Sequence, residues 1–165
     1  MSDGDILLSR LRSPDVTVRQ QAARMLAMDA ETTRLGAVVV LTATDDPDET
    51  VREWAVEAIE NCGPVTSGLL PILVEHLHHT TSPTQLILGL KLLGRSKEQA
   101  AEFFPSAVSF CDGAHPTQVR SQACKTAVVV AGEGDRAELR RLLEELAQDD
   151  DEIVSSTATR MQSRL

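Results

Sequence analysis

Tyrosine is absent from this chain of 165 residues, and one Trp and three Phe make up its whole aromatic complement. That leaves few platforms on which single-stranded nucleic acid could stack its bases. Basic residues are also scarce: 16 Lys and Arg stand against 25 acids, a net charge of −9. Phosphate-backbone binding takes most of its affinity from a concentrated basic surface. The balance therefore points away from nucleic acid, although a local basic stripe would survive inside it. Three scattered cysteines (Cys62, Cys111, Cys124) show no CxxC spacing, which argues against a disulfide framework and a zinc knuckle. Apolar runs such as Gly36 to Leu41 and Leu86 to Leu93 are far too short for a membrane span. The start, Met-Ser-Asp-Gly-Asp, lacks a basic region followed by an apolar run, so no signal peptide is read there. The expected setting is soluble, reducing and cytoplasmic.

What the chain does have is a period. The turns Ser13-Pro14-Asp15, Asp46-Pro47-Asp48, Ser82-Pro83, His115-Pro116 and Asp150-Asp151 each precede the same kind of helix. The first apolar anchors after them, Val18, Val51, Leu86, Val119 and Val154, lie 33, 35, 33 and 35 residues apart. A constant interval in this range marks a solenoid, in which each helical pair buries its apolar face only by stacking on its neighbours. After each anchor, apolar residues follow at i+4 and i+7 or i+8, for example Val18, Ala22, Met25 and Leu26, or Val51, Ala55, Ala58 and Ile59. Ser13, Asp46 and Ser82, each followed by proline, are expected to cap these second helices, with Glu49 completing a capping box.

First helices are expected at about Asp5 to Arg12, Thr32 to Ala43, Ser67 to His79, Glu98 to Cys111 and Arg136 to Gln148. Pro71 and Pro105 recur at an interval of 34 residues and predict a kink inside the first helices of units three and four. The units run approximately 1–29, 30–63, 64–96, 97–132 and 133–165, giving one domain over 1–165.

The run Pro-Asp-x-x-Val-Arg-x-x-Ala at Pro14 to Ala22 and Pro47 to Ala55, degraded at Pro116 to Ala123, resembles the HEAT repeat. It is closest to the short bacterial variety similar to phycobilisome lyases, as are the Leu-Leu-Pro and Phe-Phe-Pro first helices. The resemblance implies an all-α fold, a right-handed α-solenoid (superhelix) of about five helix pairs with second helices lining the concave side. It also implies that the turn Asp and the Arg opening the second helix bridge adjacent units, which makes Asp15, Arg19, Asp48, Arg52 and Arg120 structural candidates. Ile87 and Ser155 stand where units three and five would carry that Arg. A HEAT-like fold does not fix a function.

On a concave face, the positions two, three and six residues after each anchor would be exposed. In the outer units these are mostly polar, but the middle of the chain supplies Trp54, Leu88 and Leu92, with Gly89 leaving room for the indole. Rimmed by Arg24, Glu57 and Lys125, that strip has the make-up of a protein-binding hot spot. If superhelical twist turns it inward, the same residues are core. The acids between Asp45 and Glu60 read as a solvated helix face or an acidic docking patch.

Glu75-His76-Leu77-His78-His79 is the one cluster with metal-ligand residue types, but two ligands on one helix face do not complete a site and His115 lies a repeat away. The His-Glu pairs of HEAT-like di-iron hydroxylases are missing, and Glu53 and Glu57 beside Trp54 would repel the phosphates that a HEAT-like alkylpurine DNA glycosylase must hold. Gly132-Glu133-Gly134 reads as a turn rather than a phosphate loop. The expected function is a non-enzymatic scaffold or adaptor without cofactor or metal, monomeric or weakly homo-oligomeric, binding a peptide or helix of another protein. A bilin-lyase-like or lyase-accessory role is the alternative, and a nucleic-acid-binding module the weaker one.

Overall fold

The computed structural model describes residues 2–165, and among them every regular element is helical. The helices are α1 (Asp3–Arg10), α2 (Val16–Met28), α3 (Ala30–Leu35), α4 (Ala37–Ala43), α5 (Glu49–Asn61), α6 (Leu70–His79), α7 (Pro83–Arg95), α8 (Phe104–Ser109), α9 (Thr117–Val130), α10 (Arg136–Leu146) and α11 (Glu152–Gln162). The expected all-α solenoid is what forms. Second helices α2, α5, α7, α9 and α11 are continuous, and each packs on the first-layer helix of its own unit. Neighbouring second helices pack broadly at α2–α5, α7–α9 and α9–α11, and touch much less at α5–α7. No helix is long and apolar enough to cross a membrane.

Two of the helix starts lie two residues later than the prolines predict. Asp15 and Asp48 are the N-caps of α2 and α5, accepting from the backbone N–H of Thr17 and Val51, and Ser13 and Asp46 stand outside those helices. Asp46, two residues before its cap, is thereby freed for another partner. Only Ser82 caps as expected, with Pro83 in the first turn of α7. Nor do Pro71 and Pro105 kink a helix from within. Each sits in the first turn of an α-helix that follows a 3₁₀ segment, Ser67–Leu69 before α6 and Lys97–Phe103 before α8. A proline there gives up an N–H that has no helical partner anyway, so the recurrence marks a boundary.

The first helix of unit two is likewise divided. Gly36 separates α3 from α4, and the Leu8 side chain packs where its Cβ would be, 2.4 Å from two leucine methyls. Met25, assigned to the apolar stripe of α2, is 53% exposed, and Leu26 beside it takes the core position.

The arginine and aspartate bridges hold at the first and last junctions only. Arg19 Nε and Nη2 donate to Asp46 at 2.8 and 3.0 Å, tying α2 to the turn before α5, while Nη1 closes its own turn on the carbonyls of Ser13 and Pro14. Arg120 makes the same fork with Asp149 ahead of α11. The acceptor stands two residues before the next N-cap, whereas Asp15 and Asp48 are themselves caps, and Asp48 also accepts from Gln20 at 3.0 Å. Arg52 finds Thr80 at the acceptor position of unit three and turns back to the carbonyls of Asp46 and Pro47.

At that junction Lys91 and Arg95 of α7 pair instead with Glu60 near the end of α5, and an amide and backbone carbonyls make the other contacts. Gln85, buried in α7, donates to Asp45 at 2.6 Å, and its Oε1 meets His76 Nε2 at 2.7 Å. Arg95 donates to the carbonyls of Ile59 and Cys62, closing the C-terminus of α5.

The Arg120 guanidinium holds Asp149 below the usual carboxylate range, with help from the Asp151 N–H. A carboxyl whose pKa falls on folding stabilises the fold at neutral pH, and that contribution is lost as pH drops through the lowered value. Asp149→Asn is therefore expected to cost about 1 kcal/mol at neutral pH. It should also flatten the acid limb of the stability profile, as read by urea melts at neutral pH and near pH 3.

Candidate functional site

The strip expected to form an open groove divides. Leu88 and Leu92 are core residues, 5% and 0% exposed. Gly89 does not accommodate Trp54: its Cβ position lies 2.4 Å from Leu77 Cδ2 and 3.3 Å from Leu41 Cδ2, so α6 and α4 fill that space. Helix α7 is buried on almost every side, the environment its near-continuous Leu and Ile content requires. The neighbouring repeat positions Ser121 and Thr157 are also enclosed, hydrogen-bonded to each other at 3.0 Å between α9 and α11. Positions two and three after the anchor thus face neighbouring helices in much of the array.

Position six remains open in every unit but the third, with Arg24, Glu57 and Arg160 exposed and Lys125 half-buried. Trp54 is half-buried against the core, with the Arg24 guanidinium 6.0 Å from its ring centroid, a cation–π contact at the edge of its range. Glu57 accepts from Asn61 at 2.7 Å. Lys125 belongs elsewhere, on the opposite side of α7.

There the C-terminal parts of α7, α9 and α11 leave a run of connected clefts. Lys91, Arg95, Lys125 and Val129 line the first; Lys125, Val128, Val129, Arg160, Met161 and Arg164 the second; Val128, Arg140 and Arg164 contribute to a third. Shared residues join the three. Glu60 is the one acidic side chain among their lining residues, and it is taken by Lys91 and Arg95. The side chains of Lys125, Arg140, Arg160 and Arg164 make no ion pair or hydrogen bond among the described residues. Val129 on the floor is 48% exposed, and Val128 is half-buried beside it.

This basic cleft was legible in principle. Lys125 and Arg160 share the sixth position after their anchors, α9 carries no acid, and α11 carries Glu152 alone in its first turn. Neither cation has a carboxylate three or four residues away on its own helix to neutralise it. The global charge of −9 obscured that local pattern.

The remaining candidates have structural occupations. His76 bonds Gln85, His79 Nδ1 meets the Glu75 carbonyl at 2.7 Å, and His78 and His115 pack on the two sides of Phe110, with ring centroids 5.0 and 5.3 Å away. Burial pushes the thiols of Cys111 and Cys124 up to about 12 and about 11, far from the thiolate that nucleophilic chemistry needs. Of the acids between Asp45 and Glu60, Asp45, Asp46, Asp48 and Glu60 hold neighbouring units, leaving Glu49 and Glu53 to solvent.

A family model described as HEAT repeats matches residues 4–91. Among solved structures, an engineered protein is 18% identical, with a TM-score of 0.62 over 98% of this chain and 78% of that one. The complex of CpcE and CpcF of phycocyanin lyase from Nostoc contains a chain 16% identical, with a TM-score of 0.63 over 96% of this chain and 97% of that one. Both are likenesses of fold. No curated protein matches the chain.

Proposed function

Since the chain belongs to the HEAT-repeat family, we propose that it works as a non-enzymatic scaffold or adaptor that docks another protein on the exposed face of its second helices. The observation that supports this reading most is the open cleft between α9 and α11, where an exposed valine floor lies under cations that have no partner among the described residues. Apolar centre and charged rim are the composition of a protein-binding patch. The docking site moves accordingly from the middle of the array, where Leu88 and Leu92 are core, to its C-terminal part.

A photo-crosslinking residue at position 129 should capture a defined partner in cells, and one at Glu144 on α10 should not. Val129→Glu, assayed with a crosslinker at 128, should cut that capture several-fold. Equal capture from 129 and 144 overturns the reading. The alternative, a lyase or lyase-accessory role, draws on the overlap in length and fold with a chain of the phycocyanin lyase complex. Incubation with bilin and a phycocyanin apoprotein separates the two, because a covalent adduct would displace the scaffold reading.

A further inference from the structure

The cleft between α9 and α11 also indicates what kind of segment occupies it, an inference that rests on the docking reading above. Lys125, Arg160 and Arg164 stand around Val128, Val129 and Met161. Arg140 adjoins Arg164 across the next cleft. None of these cations meets a carboxylate within 4 Å among the described residues. Elsewhere Arg19 and Arg120 each fork onto an aspartate, and Arg95 sits on Glu60 and three backbone carbonyls. A group of unneutralised cations on a protein of net charge −9 is therefore a local reversal of sign.

We propose that this cleft takes an acidic amphipathic segment of a partner protein, its carboxylates meeting Lys125, Arg160 and Arg164 and an aliphatic side chain resting on Val128 and Val129. Two arginines supply planar forks suited to bidentate carboxylate contact. The apolar floor adds a requirement that charge alone does not impose, because a segment without an aliphatic residue would leave it wet. Nucleic acid fits less well. No aromatic side chain lines the clefts, a phosphate backbone offers nothing apolar to the valines, and the acidic remainder of the molecule repels a long polyanion.

The test uses the full chain and a fluorescent helical peptide with Leu at i, i+3, i+4 and i+7 and Glu at the exposed positions. Three comparison ligands are the same peptide with Lys for Glu, the same peptide with Ser for Leu, and duplex DNA. Anisotropy should show the Glu/Leu peptide binding most tightly, with affinity falling as salt rises. The Arg160→Glu, Arg164→Glu double variant should weaken it about tenfold or more. Both side chains are exposed, so an unchanged circular dichroism melt accompanies the loss.

Unchanged affinity in the folded double variant overturns the proposal, as does tighter binding of the Lys peptide or of DNA. Equal binding of the Ser peptide removes the role of the apolar floor and overturns it in this form. If crosslinking at 129 still captures a partner while the acidic peptide fails to bind, this assignment falls and the docking reading stands. If capture fails as well, both fall.

Discussion

Leu92→Ala should lower folding stability by about 3 kcal/mol, the cost of removing a fully enclosed leucine and leaving a cavity that rigid neighbours fill only in part. Leu92 has no exposed surface, and it lies in α7, the helix enclosed on most sides by α4, α5, α6 and α9. A residue lining an open groove would behave differently: its truncation would weaken a partner complex and leave the urea midpoint where it was. Equilibrium urea unfolding therefore decides between core and groove at this position without knowledge of the partner. A midpoint unchanged from wild type would show that α7 does not sit as described. The slope of the transition should stay constant, since the surface exposed on unfolding barely changes.

Gly89→Val is expected to be about as damaging, roughly 3 kcal/mol, by the opposite route. The first added carbon would already lie 2.4 Å from Leu77 Cδ2 and 3.3 Å from Leu41 Cδ2. Both leucines are buried, so neither has open space to rotate into. Gly89→Ala isolates the collision. In an uncrowded helix alanine would gain up to about 1 kcal/mol over glycine, and here the gain should vanish. Gly94→Ala in the same helix is the control, because its nearest neighbour, Thr126 Oγ1, is at an ordinary 3.6 Å. It should be neutral or stabilising. Thermal melts of the three variants give the comparison, and a stabilised Gly89→Ala would contradict the packing of α7 on α6.

The architecture was legible because a solenoid repeats its turn chemistry, and each second helix is announced by a polar turn and an apolar anchor. Phase was less legible. The cap fell at Asp48 rather than Asp46 because Asp46 is needed by Arg19 of the neighbouring unit. Sequence alone does not rank two aspartates that are two residues apart. Leu88 and Leu92 were misplaced for a related reason. The position two after the anchor is exposed at Glu53 and Ser156 but buried at Leu88 and Ser121, so its exposure is set by how neighbouring helices stack rather than by the local pattern. The same uncertainty hid the basic cleft, since Lys125 and Arg160 share a repeat position but become neighbours of Arg140 and Arg164 only once α9, α10 and α11 are stacked.

The ion pairs that tie neighbouring units differ in how far water reaches them, and that sets an order of loosening. Dissolved ions compete most with Lys91–Glu60 and Arg95–Glu60, the pairs more open to water, and have less purchase on the enclosed Arg19–Asp46 and Arg120–Asp149 forks. Rising ionic strength thus acts first on the α5–α7 junction, where the second helices also touch least, and later on the outer ones.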